Sequence, residues 1–519
     1  MPAPATTDAN AAPSALADRA GLFRWLFPLL GVLSLLASCI LWSLKKQLAG
    51  DETFTWVEIH SPSLAHLMRA AEHLGGAGMP LFYLTAWPWS RLFGITELSL
   101  RLYSSAGVCA AFLVIFFMLR RRFTARAAFL GTAFGLFASL IVIDQNVEAR
   151  GYGLYLLLAA IAVAQALRIA DTPRPRPGDL FLLALTQAGL VLGHVLAIVY
   201  AGLLLLALVL GDRAQHRFRP GVYLACVVGW LALIPWIPAI LASMALGKPH
   251  TWIAMPDFAD LVIGLSGWLF GGIYFPLLRH HPMGIVAGWA LAMLCVILLV
   301  SGCVARIRWA DSASEWSAEL VGLILLLAPI ALFVLSHLAS PVYVGRYFIP
   351  SAIGIAILAA AWAQNSHLAS GKGGVILAIV FLLLPIASAE LAQPAHLEVA
   401  HIDRLAAGRP IVCDWLDDFL VVSRYSATPP EYPMDWQTAL AGPPAATGAY
   451  LLVQNYQREG YLSGQPRSDA AILAQPAFVL LDNIQDNWFQ RVIVPNPRLS
   501  WTLLAQLDPT RRLIAVQRK

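Results

Sequence analysis

Long apolar runs, separated by short polar connections, fill roughly the first 390 of the 519 positions. Leu22 to Leu44, Leu102 to Leu119, Tyr223 to Met244 and Val286 to Val304 each come near the roughly 20 residues that carry a helix across a bilayer. A crossing segment must satisfy its backbone polar groups internally, so these runs read as helices. The pattern predicts about eleven spans, near 22–43, 101–119, 127–143, 152–168, 180–194, 196–210, 221–243, 283–304, 318–337, 347–364 and 374–390. The run 180–210 reads either as one span or as two short helices that turn at Gly193-His194. Beyond 390 the long runs stop. Short strand-like stretches follow at Pro410–Cys413, Ala449–Val453, Phe478–Leu481 and Arg512–Val516, with turn-formers between them. The expected fold is an α-helical polytopic membrane protein with a small α/β domain at its C-terminal end.

Composition agrees. The chain is 59% hydrophobic and 13% charged, against about a quarter charged in soluble domains. The net charge is +5, but no basic run suits nucleic acid. Arg120–Arg122 with Arg126, then Arg168, Arg174 and Arg176, then Arg213, Arg217 and Arg219, then Arg306 and Arg308 sit in alternate loops. That alternation assigns those loops and the N-terminus to the cytoplasm, and it favours two helices over 180–210. Residues 1–20 read as a disordered cytoplasmic tail, 21–390 as the membrane domain with an outer loop over 45–100, and 391–519 as an outer domain. The first span lacks a small-residue cleavage site and is read as retained. Six cysteines, none in a CxxC pattern, suggest neither zinc nor iron–sulfur chemistry.

The outer connections carry the unusual side chains. Asp51-Glu52 follows the first span at the membrane–water boundary. The pair suits either a solvated helix cap or a general base beside a substrate- or metal-binding carboxylate. Apolar positions at Leu64, Leu67, Met68 and Ala71 predict an interfacial helix. Trp87 and Trp89 mark a second amphipathic stretch at headgroup depth. Glu148, Arg150 and Tyr152 sit between two spans, either tying helix ends together or serving a site. Lys248 and His250 lie in a third outer loop, which ends at His280-His281, read as interfacial rather than ligating. His194 is a core histidine or a substrate contact. Arg346-Tyr347 opens a span, where the guanidinium either snorkels to headgroups or meets a phosphate.

In order and spacing, these segments resemble the GT-C glycosyltransferases, in the branch of the protein O-mannosyltransferases and lipid A aminoarabinose transferases. The resemblance runs over about 22–365. It rests on Asp51, Pro80-Leu81-Phe82-Tyr83, Leu92-Phe93-Gly94 and Leu100-Arg101-Leu102, on Glu148-Ala149-Arg150-Gly151-Tyr152, and on Arg346-Tyr347 with Pro350. Gly151 stands where the family usually has proline, and Gly78-Met79 where many members have His-Pro. The resemblance implies transfer of a sugar from a polyprenyl-phosphate donor to an acceptor hydroxyl on a glycan, lipid or protein, with inversion, at the outer face of a bacterial inner membrane. Asp51 would be the base, and Glu52 would position a substrate or help hold a divalent cation if one is used. Arg150 and Arg346 would meet the donor phosphate. Glu148, Tyr152, Tyr347, His194 and Lys248 would line the pocket. A transporter or a non-catalytic lipid binder is the competing class; the absence of an internal repeat weighs against the transporter.

Overall fold

The structure, a computed structural model, describes residues 22–73, 78–247, 253–273, 317–392 and 396–519, with parts of 286–301. Among these, seven helices are long and apolar enough to cross a membrane: Phe23–Lys45, Glu97–Leu119, Tyr152–Asp171, Ala197–Ala214, Pro220–Ala242, Ala318–Leu338 and Gly371–Leu391. Two shorter apolar helices, Pro177–Gly193 and Ser351–Asn365, join the bundle. The predicted span near 283–304 lies partly outside the described residues.

One span departs from its expected form, and another breaks where expected. The predicted helix 127–143 is two helices, Ala125–Phe137 and Leu140–Asn146, bent by 77°. The break falls at Ala138-Ser139, and Gly272 N–H donates to the Ala138 carbonyl there. The second piece carries Asp144. The run 180–210 is two helices, because His194 adopts an extended backbone between Gly193 and Ala197.

Small residues set how closely the bundle packs. Gly131 and Gly135, one turn apart, lie against the backbone of Ser351–Asn365; a Cβ at either would fall about 2.5–2.6 Å from the carbonyl oxygens of Ala356 and Ala352. Small residues at this spacing let membrane helices approach closely enough for dispersion to act. The contact matters for the site because Arg346 and Tyr347 lie in a 3-10 turn, Gly345–Phe348, just before this helix.

The first loop forms three helices, Asp51–Ile59, Leu64–His73 and Pro80–Phe93. The two amphipathic stretches read from the sequence are the second and third of these. Above them, the C-terminal α/β domain is built on six strands: β1 (Ile411–Cys413), β2 (Glu431–Pro433), β3 (Gln465–Arg467), β4 (Ala477–Asn483), β5 (Leu499–Gln506) and β6 (Arg511–Arg518). Their order is β3-β2-β1-β4-β6-β5, parallel from β3 to β4 and antiparallel at β6 and β5. The predicted strand Ala449–Val453 is instead part of the helix Pro444–Arg458. Its buried apolar positions are Ala446, Val453 and Tyr456, and gaps of seven and three residues fit one face of a helix.

The loop and the C-terminal domain share a core. Val57 and Ala70 pack with Ile402, Phe419, Val453 and Leu481. Valine in place of both Gly131 and Gly135 is expected to lower the apparent melting temperature in detergent, since overpacking costs about 1–3 kcal/mol per site. Thermal size-exclusion profiles of the double variant check this; a wild-type profile would refute the close-packing account.

Candidate active site

Gly50, at φ +53°, turns the chain sharply out of the first membrane helix. Asp51 and Glu52 then form the first turn of the helix Asp51–Ile59, with Gly50 rather than either acid at the cap position. Consecutive helical residues point about 100° apart, so the two carboxylates meet different surroundings.

Glu52 points inward and is fully buried. Arg101, also fully buried, clamps it with Nε to Oε1 and Nη2 to Oε2, both at 2.8 Å. The Ala149 N–H donates to Oε1 at 3.0 Å, and Lys46 Nζ lies 3.2 Å from Oε2. The remaining Arg101 donors bond the carbonyls of Lys46 and Gln47. Lys46 also pairs with Glu148 at 2.7 Å. Burial, and then the charge of Glu52, push the Glu148 carboxyl up to about 7. Four chain segments thus meet on one carboxylate. Its oxygens are taken up by protein donors, and no three His, Cys, Asp or Glu side chains converge as a metal site among the described residues. The donor set around Glu52 does not suit a divalent cation.

Asp51 faces the other way, partly open to solvent. Its Oδ2 lies 3.0 Å from Arg346 Nη1. Arg150 sits beneath, donating from Nη1 to the Asp51 carbonyl and to Thr55 Oγ1 at 3.3 and 3.2 Å. The Arg150 Nε is buried with no hydrogen-bond partner among the described residues. Arg346 lies over the rings of Tyr152 and Tyr347, 5.9 and 5.8 Å from their centroids. His194 completes an aromatic wall, 4.9 Å from Tyr347 and stacked on Tyr155 at 5.0 Å. The structure therefore brings Asp51, Arg150, Arg346, Tyr152, Tyr347 and His194 together. Glu148 joins the Lys46–Glu52 cluster beside them. Lys248, His250, His280 and His281 lie outside the described residues.

Gly151, where the resembled glycosyltransferases usually have proline, lies under the Phe82 ring; a Cβ there would come within 2.9 Å of it. The substitution therefore fits the close seating of the first-loop helix Pro80–Phe93 on the Glu148–Tyr152 turn.

Several residues of the site were given no role by the sequence reading. Arg101 entered it only within the Leu100-Arg101-Leu102 element of the resemblance. Tyr155 is one helical turn from Tyr152, and its hydroxyl is buried without a hydrogen-bond partner among the described residues. Glu58 accepts from Tyr83 and, at 3.0 Å, from Tyr456 of the C-terminal domain. Burial raises its carboxyl to about 6. Asp417, in the first turn of the helix Leu416–Tyr425, is half-buried, and burial followed by the charge of Asp51 raises it to about 6. No local pattern marks Glu58 or Asp417, because Tyr456 and Asp51, which they meet, are hundreds of positions away.

No protein-family model and no curated protein matches the chain. Solved structures do. Crystal structures of ArnT from Cupriavidus metallidurans, in the apo state and bound to undecaprenyl phosphate, superpose with TM-scores of 0.58 and 0.57 at 14% identity. Each alignment covers 97% of this chain and 98% of ArnT. The Archaeoglobus fulgidus oligosaccharyltransferase, in a complex with zinc and sulfate, aligns over 76% of this chain and 61% of its own at a TM-score of 0.46 and 12% identity. The chain is a polytopic membrane protein with the GT-C fold. Within that class its architecture is that of ArnT over nearly the whole length.

Glu52→Gln should destabilise the protein by about 3–5 kcal/mol, because it leaves Arg101 buried beside a neutral group; a melting temperature equal to wild type would overturn the anchoring role. Glu58 gives a pH signature. A carboxyl whose folded value is raised contributes stability that is full below its ordinary value near 4.5 and is lost as pH rises through about 6. The loss amounts to about 2 kcal/mol between pH 4.5 and 7. Glu58→Gln should flatten that slope in thermal unfolding measured across this range.

Proposed function

We propose that this protein transfers a sugar from a polyprenyl-phosphate carrier to an acceptor hydroxyl, with inversion at the anomeric carbon, on the outer face of a bacterial inner membrane. The observation that carries this reading is the Asp51–Arg346 pair, with Arg150 directly beneath it. A carboxylate suited to take a proton and two guanidiniums suited to hold a phosphate occupy one partly open site in an ArnT-like fold.

In this reading, Asp51 removes the proton of the acceptor hydroxyl as its oxygen attacks the anomeric carbon. The bond from that carbon to the carrier phosphate breaks on the opposite face. The departing phosphate keeps the electron pair, and Arg346 and Arg150 stabilise its charge without proton transfer. In the structure Arg346 rests on Asp51. An incoming donor phosphate competes for that guanidinium, so donor binding releases the base for the acceptor. Tyr152, Tyr347 and His194 offer the flat apolar faces that a sugar ring or the first prenyl unit packs against. Glu52 acts as an anchor that sets the direction of Asp51. Asp417 places a second carboxylate on the side from which a water-borne acceptor arrives. The C-terminal domain then forms the acceptor-side wall.

Asp51→Asn should lower transfer by roughly a hundredfold to ten-thousandfold, the usual contribution of a general base, at unchanged melting temperature. The assay is release of polyprenyl phosphate from a panel of polyprenyl-phosphate sugars in proteoliposomes, with glycan, lipid and peptide acceptors. Arg346→Gln should weaken donor binding more than turnover at saturating donor. Wild-type rates in Asp51→Asn would remove it as base. Neither transfer nor donor hydrolysis across the panel would favour a transporter or a lipid-binding protein.

A further inference from the structure

The end of the bundle opposite the candidate active site carries a groove of about 430 Å³ between the membrane helices Glu97–Leu119 and Tyr152–Asp171. That size is within the roughly 300–1,000 Å³ of small-molecule sites. Phe117, Ala164 and Leu167 form its apolar wall, and Phe117 is 44% exposed toward the surroundings of the bundle. Its rim is basic. Arg121, Arg122 and Arg168 line it against one acid, Asp171.

The arginines are not equivalent. Arg122 holds Asp171 at 2.5 Å, and Arg168 holds Asp179, outside the groove, at 3.0 Å. Arg121 is exposed and has no ion-pair partner among the described residues. Both helices end here, and their C-terminal carbonyls repel anions. The arginines must outweigh that field for an anion to bind, so the site depends on them. A free inorganic phosphate would use the rim and leave the apolar wall empty. An amphiphile with one phosphate uses both, its diester on the guanidiniums and an acyl chain along Phe117 and Ala164.

We infer that this groove binds one anionic glycerophospholipid of the surrounding leaflet, phosphate on Arg121 and Arg168, at a site separate from the one around Asp51. The test is native mass spectrometry of the full-length protein released from nanodiscs of phosphatidylglycerol or of phosphatidylcholine with the same acyl chains. Wild type should retain one phosphatidylglycerol per chain, displaced neither by phosphatidylcholine nor by inorganic phosphate. Arg121→Gln with Arg168→Gln should weaken retention roughly thirtyfold, from the contribution of each arginine near anionic lipid. Ala164→Trp, which fills the apolar wall and leaves every charge in place, should also abolish retention. Equal retention of both lipids by wild type, displacement by inorganic phosphate alone, or unchanged retention in Ala164→Trp would each overturn the site. The wild-type comparison decides the matter even where a variant fails to fold.

Discussion

A buried carboxylate clamped by a buried guanidinium organises the end of the helix bundle that carries the C-terminal domain. Removing two charges from water costs several kcal/mol per ion, and only near-complete hydrogen bonding recovers it. Glu52 and Arg101 meet that condition because Lys46, the Ala149 N–H and the carbonyls of Lys46 and Gln47 complete the set. No one of these segments can shift without exposing an unpaired buried charge. The first membrane helix, the second, the first-loop helix and the turn before Tyr152 are therefore held in one register.

That register is what gives Asp51 its surroundings. With Glu52 turned inward, the preceding residue is presented outward, next to Arg346. The same turn that donates Ala149 N–H to Glu52 carries Arg150 under Asp51. Arg346 arrives from a distant part of the chain, and its position depends on the glycine-mediated contact of Ala125–Phe137 with Ser351–Asn365. One tight packing contact and one ion-pair cluster thus bring three well-separated charges to a single place.

The C-terminal domain is bound into this arrangement rather than appended to it. Tyr456 reaches Glu58, Arg424 and Tyr425 reach Glu97, and Tyr461 reaches Ser61. The shared apolar core around Val57 adds a non-directional contribution that scales with the area removed from water. The helix that follows β1 brings Asp417 toward Asp51.

The sequence by itself determined the polytopic class, most of the spans, the break at His194 and the candidacy of Asp51, Arg150 and Arg346. Those features are local: apolar length, a helix-interrupting Gly-His step, and charged groups that are costly beside a bilayer wherever they point. It misread Ala449–Val453, where a short apolar run fits strand and helix alike and only the neighbours choose. It also could not divide the labour of Asp51 and Glu52. Adjacent carboxylates are chemically the same until the fold turns one toward Arg101 and the other toward Arg346. The partners that decide this lie tens to hundreds of residues away, so the difference between anchor and candidate base belongs to the tertiary structure.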